Sequence, residues 1–254
     1  MDLPRTPSFR LDGRRALVTG GTRGIGLAAA VALGEAGAAV TVVARGAADV
    51  ATTVAAMQDA GLAAEGEALD VTDIKAVRAF VSASAPFDIL VNNAGLARHT
   101  DLPGIAEADY DAVFAINVKA ALFLTQAVAA RLIEAGRPGS IINVSSQMGH
   151  VSGPRRIVYS ASKFALEGMT RGLAIELGPR NIRVNTLCPT FIETELSAKS
   201  LSDPAFREWV FSKIKLQRLG RLEDIMGPVV FLASDAAALV TGSSLLVDGG
   251  WTAE

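Results

Sequence analysis

A chain of 254 residues, half of them hydrophobic and few aromatic, has the Ala, Val, Leu and Ile for a large core, which excludes a disordered chain and disfavours an all-β sandwich. Its formal net charge of -2 argues against a general nucleic-acid binder, which needs a basic face to neutralise phosphates. The sequence shows no run of about twenty apolar residues and no signal-peptide centre in MDLPRTPSFRLDGRR, and the single cysteine, Cys188, excludes an intramolecular disulfide or a cysteine-built metal site. A cytosolic protein without membrane or nucleic-acid partners is expected, with Cys188 a buried core thiol.

Residues 1–12 read as a polar, proline-punctuated arm before a single domain over 13–254. The first predicted strand, RALVTG, runs into the loop of VTGGTRGIG, where Gly20, Gly24 and Gly26 give the spacing G-x-x-x-G-x-G. Glycines let such a loop turn sharply and approach a pyrophosphate, whose charge then sits at the following helix N-terminus. The spacing is not that of a Walker loop, and no Lys-Ser/Thr pair is present to hold magnesium, which disfavours a nucleotide triphosphatase.

The second strand, AVTVVAR, ends without the acid that would bind ribose hydroxyls in an NAD site; Asp49 comes too late. Arg45 stands there instead, and Arg23 in the glycine loop. Two guanidinium groups suit a 2′-phosphate, so NADP(H) is favoured over NAD(H), the alternative being two solvated surface arginines. The third strand, AAEGEALDV, ends at Asp70, which either accepts a hydrogen bond from the adenine amine or helps cap the next helix. Further strands are DILVNNAG, SIINVSS, IRVNTLCP and SLLVDGG, with helix-forming segments between them. Strands apolar on both faces that alternate with helices signal a doubly wound parallel sheet, with ligands beyond the carboxyl ends of the strands.

Tyr159, one of two tyrosines, is followed by Lys163, a spacing that puts both on one helix face. A phenol titrates near pH ~10, too high for a base at neutral pH. An ammonium about 4 Å away, at an effective dielectric of roughly 20, is worth about 4 kcal/mol, or about three pKa units. Lys163 is therefore the expected cause of an acidic Tyr159.

With these motifs in order, the chain from ALVTGGTRGIG to TGSSLLVDGG resembles the single-domain branch of the short-chain dehydrogenase/reductase family. The resemblance implies a Rossmann fold of seven parallel strands with helices on both faces, and a catalytic tetrad of Asn117, Ser145, Tyr159 and Lys163. Ser145 would hold the substrate oxygen, Asn117 would fix a water leading from Lys163 to solvent, and Lys163 would also bond the nicotinamide ribose. The cofactor would be held by Gly20, Thr22, Arg23, Gly24, Ile25 and Gly26 in the first loop, and by Arg45, Asp70 and Val71 after the second and third strands. Asn93, Ala94 and Gly95, then Pro189, Ile192 and Thr194, would complete the contacts together with Tyr159 and Lys163.

The reaction so implied is hydride transfer between NADP(H) and a ketone or secondary alcohol of a small or medium organic substrate, in a homodimer or homotetramer. An NAD-linked dehydrogenase of a sugar acid, polyol or steroid is the alternative on the same residues. A non-catalytic dinucleotide-binding regulator would need a damaged tetrad, and a nucleotide-sugar epimerase a different glycine spacing. No metal is expected, because His99 and His150 have no clustered ligands around them in the sequence. His99 reads as an ordinary packing or surface residue; His150 lies in the loop between Ser145 and Tyr159.

One departure is Thr190 where the family commonly has glycine after Pro189. The segment around 190–219 is the expected substrate lid, and Met148, His150, Phe191 and Trp209 are candidate pocket walls.

Overall fold

A computed structural model describes residues 1–194 and 201–253. The elements follow in strict alternation at first: β1 (Arg15–Thr19), α1 (Gly24–Glu35), β2 (Ala39–Ala44), α2 (Ala47–Asp59), β3 (Ala64–Ala68), α3 (Ile74–Ala83) and β4 (Ile89–Asn92). Next come α4 (Glu107–Phe114), a π-helical turn (Ala115–Ala120), α5 (Ala121–Glu134), β5 (Gly139–Val144), α6 (Ile157–Leu177) and β6 (Ile182–Pro189). The chain closes with α7 (Pro204–Lys213), α8 (Glu223–Ala233) and β7 (Ser244–Val247).

The seven strands form one sheet in the order β3-β2-β1-β4-β5-β6-β7, and all the pairings are parallel. This is the expected Rossmann fold. The order reverses between β1 and β4, and that crevice is where such sheets hold ligands.

Alternation along the inner strands feeds two cores. Ala16 and Val18 of β1, Ile89 and Val91 of β4 and Ile142 of β5 face a cluster with Leu33 and Val229 from α1 and α8. Leu17, Leu90 and Ile141 face the other side, against Val77, Leu124 and Leu132 from α3 and α5. A strand buried on both faces has no polar period, so its apolar run is continuous.

β3 departs from that expectation. Its AEGEA is mostly exposed because it is the sheet edge. Glu65 there accepts from Thr41 Oγ1 at 2.7 Å and pairs with Arg15 Nη2 at 2.8 Å. Charge on an open edge discourages pairing with another chain.

The amino-terminal arm ends sooner than its polarity suggests. Leu11 is fully buried, with its N–H on Ala36 O at 2.8 Å.

Glu107–Glu134 forms one continuous helical run, long and apolar enough by length and composition to cross a bilayer. In this fold it is a covering helix of the sheet, burying Val113, Leu124, Val128 and Leu132.

The expected lid begins at Thr190. Its residues 195–200 lie outside the described residues, and α7 forms its second half. Asp203 caps α7 by accepting from Ala205 N at 3.0 Å. Glu193 N donates to Gly220 O at 2.8 Å and Gly220 N to Phe191 O at 2.9 Å, so the two ends of the segment are tied together.

Candidate active site

The glycine loop is shaped by close packing. Gly20 and Gly24 have φ of +63° and +54°, and a Cβ on Gly26 would lie 2.1 Å from Gly20 O and 2.3 Å from Asn93 Nδ2. Only hydrogen fits there, so the N-terminus of α1 sits directly against the loop with its N–H groups open to an anion.

Asn93 locks the arrangement by donating from Nδ2 to Thr19 O at 2.9 Å and Gly20 O at 3.1 Å. Thr19 Oγ1 accepts from Asn93 N and Ala94 N, both at 3.0 Å, holding the ends of β1 and β4 together. Arg23 and Arg45 are exposed at the rim of this crevice, and neither makes an ion pair among the described residues. Asp70, beyond β3, accepts from Thr72 N at 2.9 Å and Thr72 Oγ1 at 2.8 Å, and that backbone bond is the main cause of its lowered pKa. The cap of α3 is Asp73 instead, which accepts from Ala76 N at 3.0 Å. The residues of this cleft therefore fit a dinucleotide: close-packed glycines, a helix N-terminus and unpaired guanidinium groups at the rim.

A cavity of about 170 Å³ opens beyond the carboxyl ends of β4, β5 and β6. Ile25, Ile192 and Thr194 line it on the cleft side; Tyr159, Ser146, Gln147, Met148 and Arg156 line it on the other, with Ala97, His99, Thr190 and Phe191. Of the four expected wall residues, Met148 and Phe191 are there. Trp209 instead stacks on Phe206 and meets Trp251 edge-on, with ring centroids 5.5 and 5.2 Å away.

The serine assignment needs correction. Ser145 and Ser146 are neighbours in extended chain and point to opposite sides. Ser146 lines the cavity beside Tyr159; its hydroxyl donates to Gln147 Oε1 at 2.6 Å and accepts from Met148 N at 3.1 Å. Ser145 is buried on the far side, near Cys188, with no hydrogen-bond partner among the described residues.

Two cations stand near the phenol, the expected Lys163 and also Arg156. Burial pushes the Tyr159 pKa up, against smaller pulls from the nearby Ser146 hydroxyl and the Arg156 guanidinium. Lys163 lies with its Nζ 5.7 Å from the Tyr159 ring centroid and donates to Val144 O at 2.8 Å. Burial lowers Lys163 to about 8.

Asn117 sits in the π-helical turn, a wide turn often found at functional sites. Its Oδ1 accepts from Leu96 N at 2.8 Å, and its Nδ2 donates to Leu96 O at 2.9 Å and Ser162 Oγ at 3.0 Å. Ser162 in turn donates to Tyr159 O at 2.7 Å, so Asn117 ties the loop after β4 to the catalytic face of α6.

His99 is a surface residue, as one of the two readings had it, and it also lines the cavity. It meets Tyr159 edge-on at 6.0 Å, and Arg156 Nη1 donates to its Nδ1 at 2.9 Å. Burial and then the Arg156 charge lower its pKa to about 4, so the ring is neutral.

His150 turns away from the cavity. Its Nε2 is 3.5 Å from Cys188 Sγ and 3.7 Å from Glu167 Oε1, ligand-type neighbours that are distant in sequence. Glu167 Oε2 accepts from Thr186 Oγ1 at 2.9 Å and Ser244 Oγ at 2.7 Å. Cys188 Sγ donates to Glu167 Oε1 at 3.3 Å, and burial raises the thiol to about 12. These contacts form a hydrogen-bonded network beneath α6.

Thr190 fits its place without strain, since its φ is not positive, while Pro189 closes β6. Its Oγ1 is buried in the cavity wall without a partner.

Sequence reading missed Ser146, Arg156 and His99. The signal for Arg156 was its place three residues before Tyr159, at the start of the same helix.

Comparison with known proteins agrees with this geometry. The family model described as Enoyl-(Acyl carrier protein) reductase matches residues 20–252. D-erythrulose reductase of Gallus gallus is 40% identical over 245 residues, covering 96% of this chain and 98% of that protein. Gluconate 5-dehydrogenase of Gluconobacter oxydans is 38% identical over 248 residues, with 96% of each chain covered. The crystal structure of a gluconate 5-dehydrogenase from Burkholderia cenocepacia J2315 in complex with NADP and tartrate superposes with a TM-score of 0.93 at 38% identity, covering 97% of this chain and 98% of that one. A nucleotide-shaped crevice, a phenol and a buried lysine one helical turn apart, and full-length kinship with named reductases and dehydrogenases lead to one conclusion: the chain belongs to the short-chain dehydrogenase/reductase family, enzymes that interconvert CH–OH and C=O groups.

Proposed function

We propose that the protein is an NADP(H)-dependent reductase and dehydrogenase of small polyhydroxylated ketones and secondary alcohols, the sugar and polyol class named in its relatives. The observation that carries this reading is the Tyr159 phenol at the cavity wall, with Ser146 in the same wall and buried Lys163 one turn away. Two features support the choice of NADP(H): no acid ends β2, and Arg23 and Arg45 stand at the rim where an adenosine 2′-phosphate would be gripped. The relative from Burkholderia cenocepacia binds NADP.

When bound, the nicotinamide supplies or accepts the hydride. Tyr159 gives the proton to the carbonyl oxygen in reduction and takes it back in oxidation. Ser146 holds that oxygen through its hydroxyl. Lys163, anchored on Val144 O, keeps a cation beneath the phenol, and Asn117 positions the Tyr159 segment through Ser162 and Leu96.

The oligomer is a homodimer or homotetramer joined through α5 and α6. On α6, Ile157, Ala161, Phe164, Gly168, Gly172 and Ile175 make one exposed apolar stripe at helical period, and α5 adds Leu122 and Ile133.

NADPH oxidation with a panel of ketoses tests the chemistry. Tyr159→Phe and Ser146→Ala lower kcat/KM by about 10²–10⁴-fold, while Ser145→Ala keeps most of it. A Tyr159→Phe variant with near-normal turnover, or a Ser145→Ala loss deeper than that of Ser146→Ala, removes the mechanism. A strong preference for NADH over NADPH removes the reading of Arg23 and Arg45.

A further inference from the structure

Arg156 is the one charged side chain among the described residues that line the cavity, and it is only 6% exposed. No carboxylate pairs with it among the described residues. Its Nη1 donates to neutral His99, and its plane lies over the rings of Phe191 and Phe206, 5.5 and 5.2 Å from their centroids. Its Nε is buried without a hydrogen-bond partner among the described residues.

A buried cation without a counter-charge is expensive to keep, and a guanidinium fixed between aromatic rings has lost little further freedom to its ligand. Thr190 Oγ1, in the same wall, is likewise buried and unpartnered. A cationic side chain in the wall of a cavity whose described lining holds no acid calls for an acceptor-rich anion. The planar fork of an arginine matches a carboxylate.

The site is also close to the reacting centre. Arg156 precedes Tyr159 by three residues and acts on its phenol directly. A carboxylate on Arg156 therefore belongs to the same small molecule whose oxygen lies on Tyr159.

We infer that Arg156 is a substrate-binding residue that selects a hydroxy or keto carboxylate, a sugar acid, over the neutral sugar or polyol of the same length. This rests on the sugar and polyol reading of the cavity and narrows it. Among the described residues Arg156 has no carboxylate partner, and the aromatic rings hold it as a preformed receptor. The neutral His99 leaves the guanidinium charge uncompensated while fixing one end of it.

The test separates binding from turnover by using D-gluconate and D-sorbitol, which differ at one end by a carboxylate in place of a hydroxymethyl group. Calorimetric titration into the NADP⁺-saturated protein should show gluconate bound about 10- to 100-fold more tightly than sorbitol, the range for a hydrogen-bonded charge. Arg156→Leu should erase that ratio with NADP⁺ affinity unchanged, and Arg156→Lys should keep part of it. Equal binding of the two ligands by the wild type, or a ratio that survives in Arg156→Leu, overturns the assignment. Ketose reduction by a wild type that binds gluconate and sorbitol equally would leave the proposed function standing and the carboxylate site refuted. A gluconate preference lost in Arg156→Leu, in a protein that oxidises NADPH with no ketone, would have the opposite meaning.

Discussion

At the scale of single residues, the site is governed by burial acting on Lys163. Its pKa falls from the ordinary 10.5 to about 8, so between those values the unfolded chain carries a proton that the native protein does not. Native stability therefore rises with pH across that window, and the cost of the buried ammonium is fully present below it. Replacing the ammonium by a thioether removes this dependence. Relative to wild type, Lys163→Met should be more stable at pH 7 than at pH 10.5 by up to about 3 kcal/mol, measured by denaturant unfolding at both pH values. An unchanged difference would mean that Lys163 is as well solvated in the native state as in the unfolded chain. The Tyr159–Lys163 pair was legible in the sequence because helical spacing alone makes the two share a face. Which serine joins them was not, because residues 145 and 146 are identical in type and only the direction of the strand end separates them. Arg156 was hidden for a related reason: a dibasic pair in a loop reads as solvated surface until aromatic rings from a distant segment are folded over it.

Among elements, the most constrained junction is the one between β1 and α1. A methyl group on Gly26 would collide with main-chain oxygen and with the amide of Asn93, both held in the bonds that join β1 to β4. Gly26→Ala should destabilise the fold by about 1–3 kcal/mol and weaken NADPH binding, both followed by titration. Gly227 in α8 has open space around its missing Cβ apart from its neighbour Pro228, and Gly227→Ala should stay within about 1 kcal/mol of neutral, the gain in helix propensity being offset by crowding from that proline. Equal effects at the two positions would show that the close approach at Gly26 is not a constraint. Strand and helix alternation was readable because the inner strands are mostly apolar on both faces and lack a polar period of two. The edge position of β3 was the exception, since its glutamates make sense only once its place in the sheet is known. The π-helical turn at Ala115–Ala120 has no sequence signature at all, and its effect is to aim Asn117 at Leu96.

For the molecule as a whole, the exposed stripe on α6 is apolar from Ile157 to Gly168, and Arg171 is the charge at its edge. Gly168 and Gly172 have nothing within 4 Å of their missing side chains, so a second helix can approach closely there. Gly168→Arg, combined with Phe164→Glu, should shift the sedimenting species toward monomer at micromolar concentration while the far-ultraviolet spectrum is unchanged. A species of unchanged size would place the contact elsewhere. One corner of the molecule carries a further consequence. The chain has two tryptophans, Trp209 and Trp251, and both belong to the aromatic group behind Phe191 in the cavity wall. Native indole emission thus comes from a single locale, and label-free fluorimetry can watch that wall respond to an arriving molecule with no probe attached.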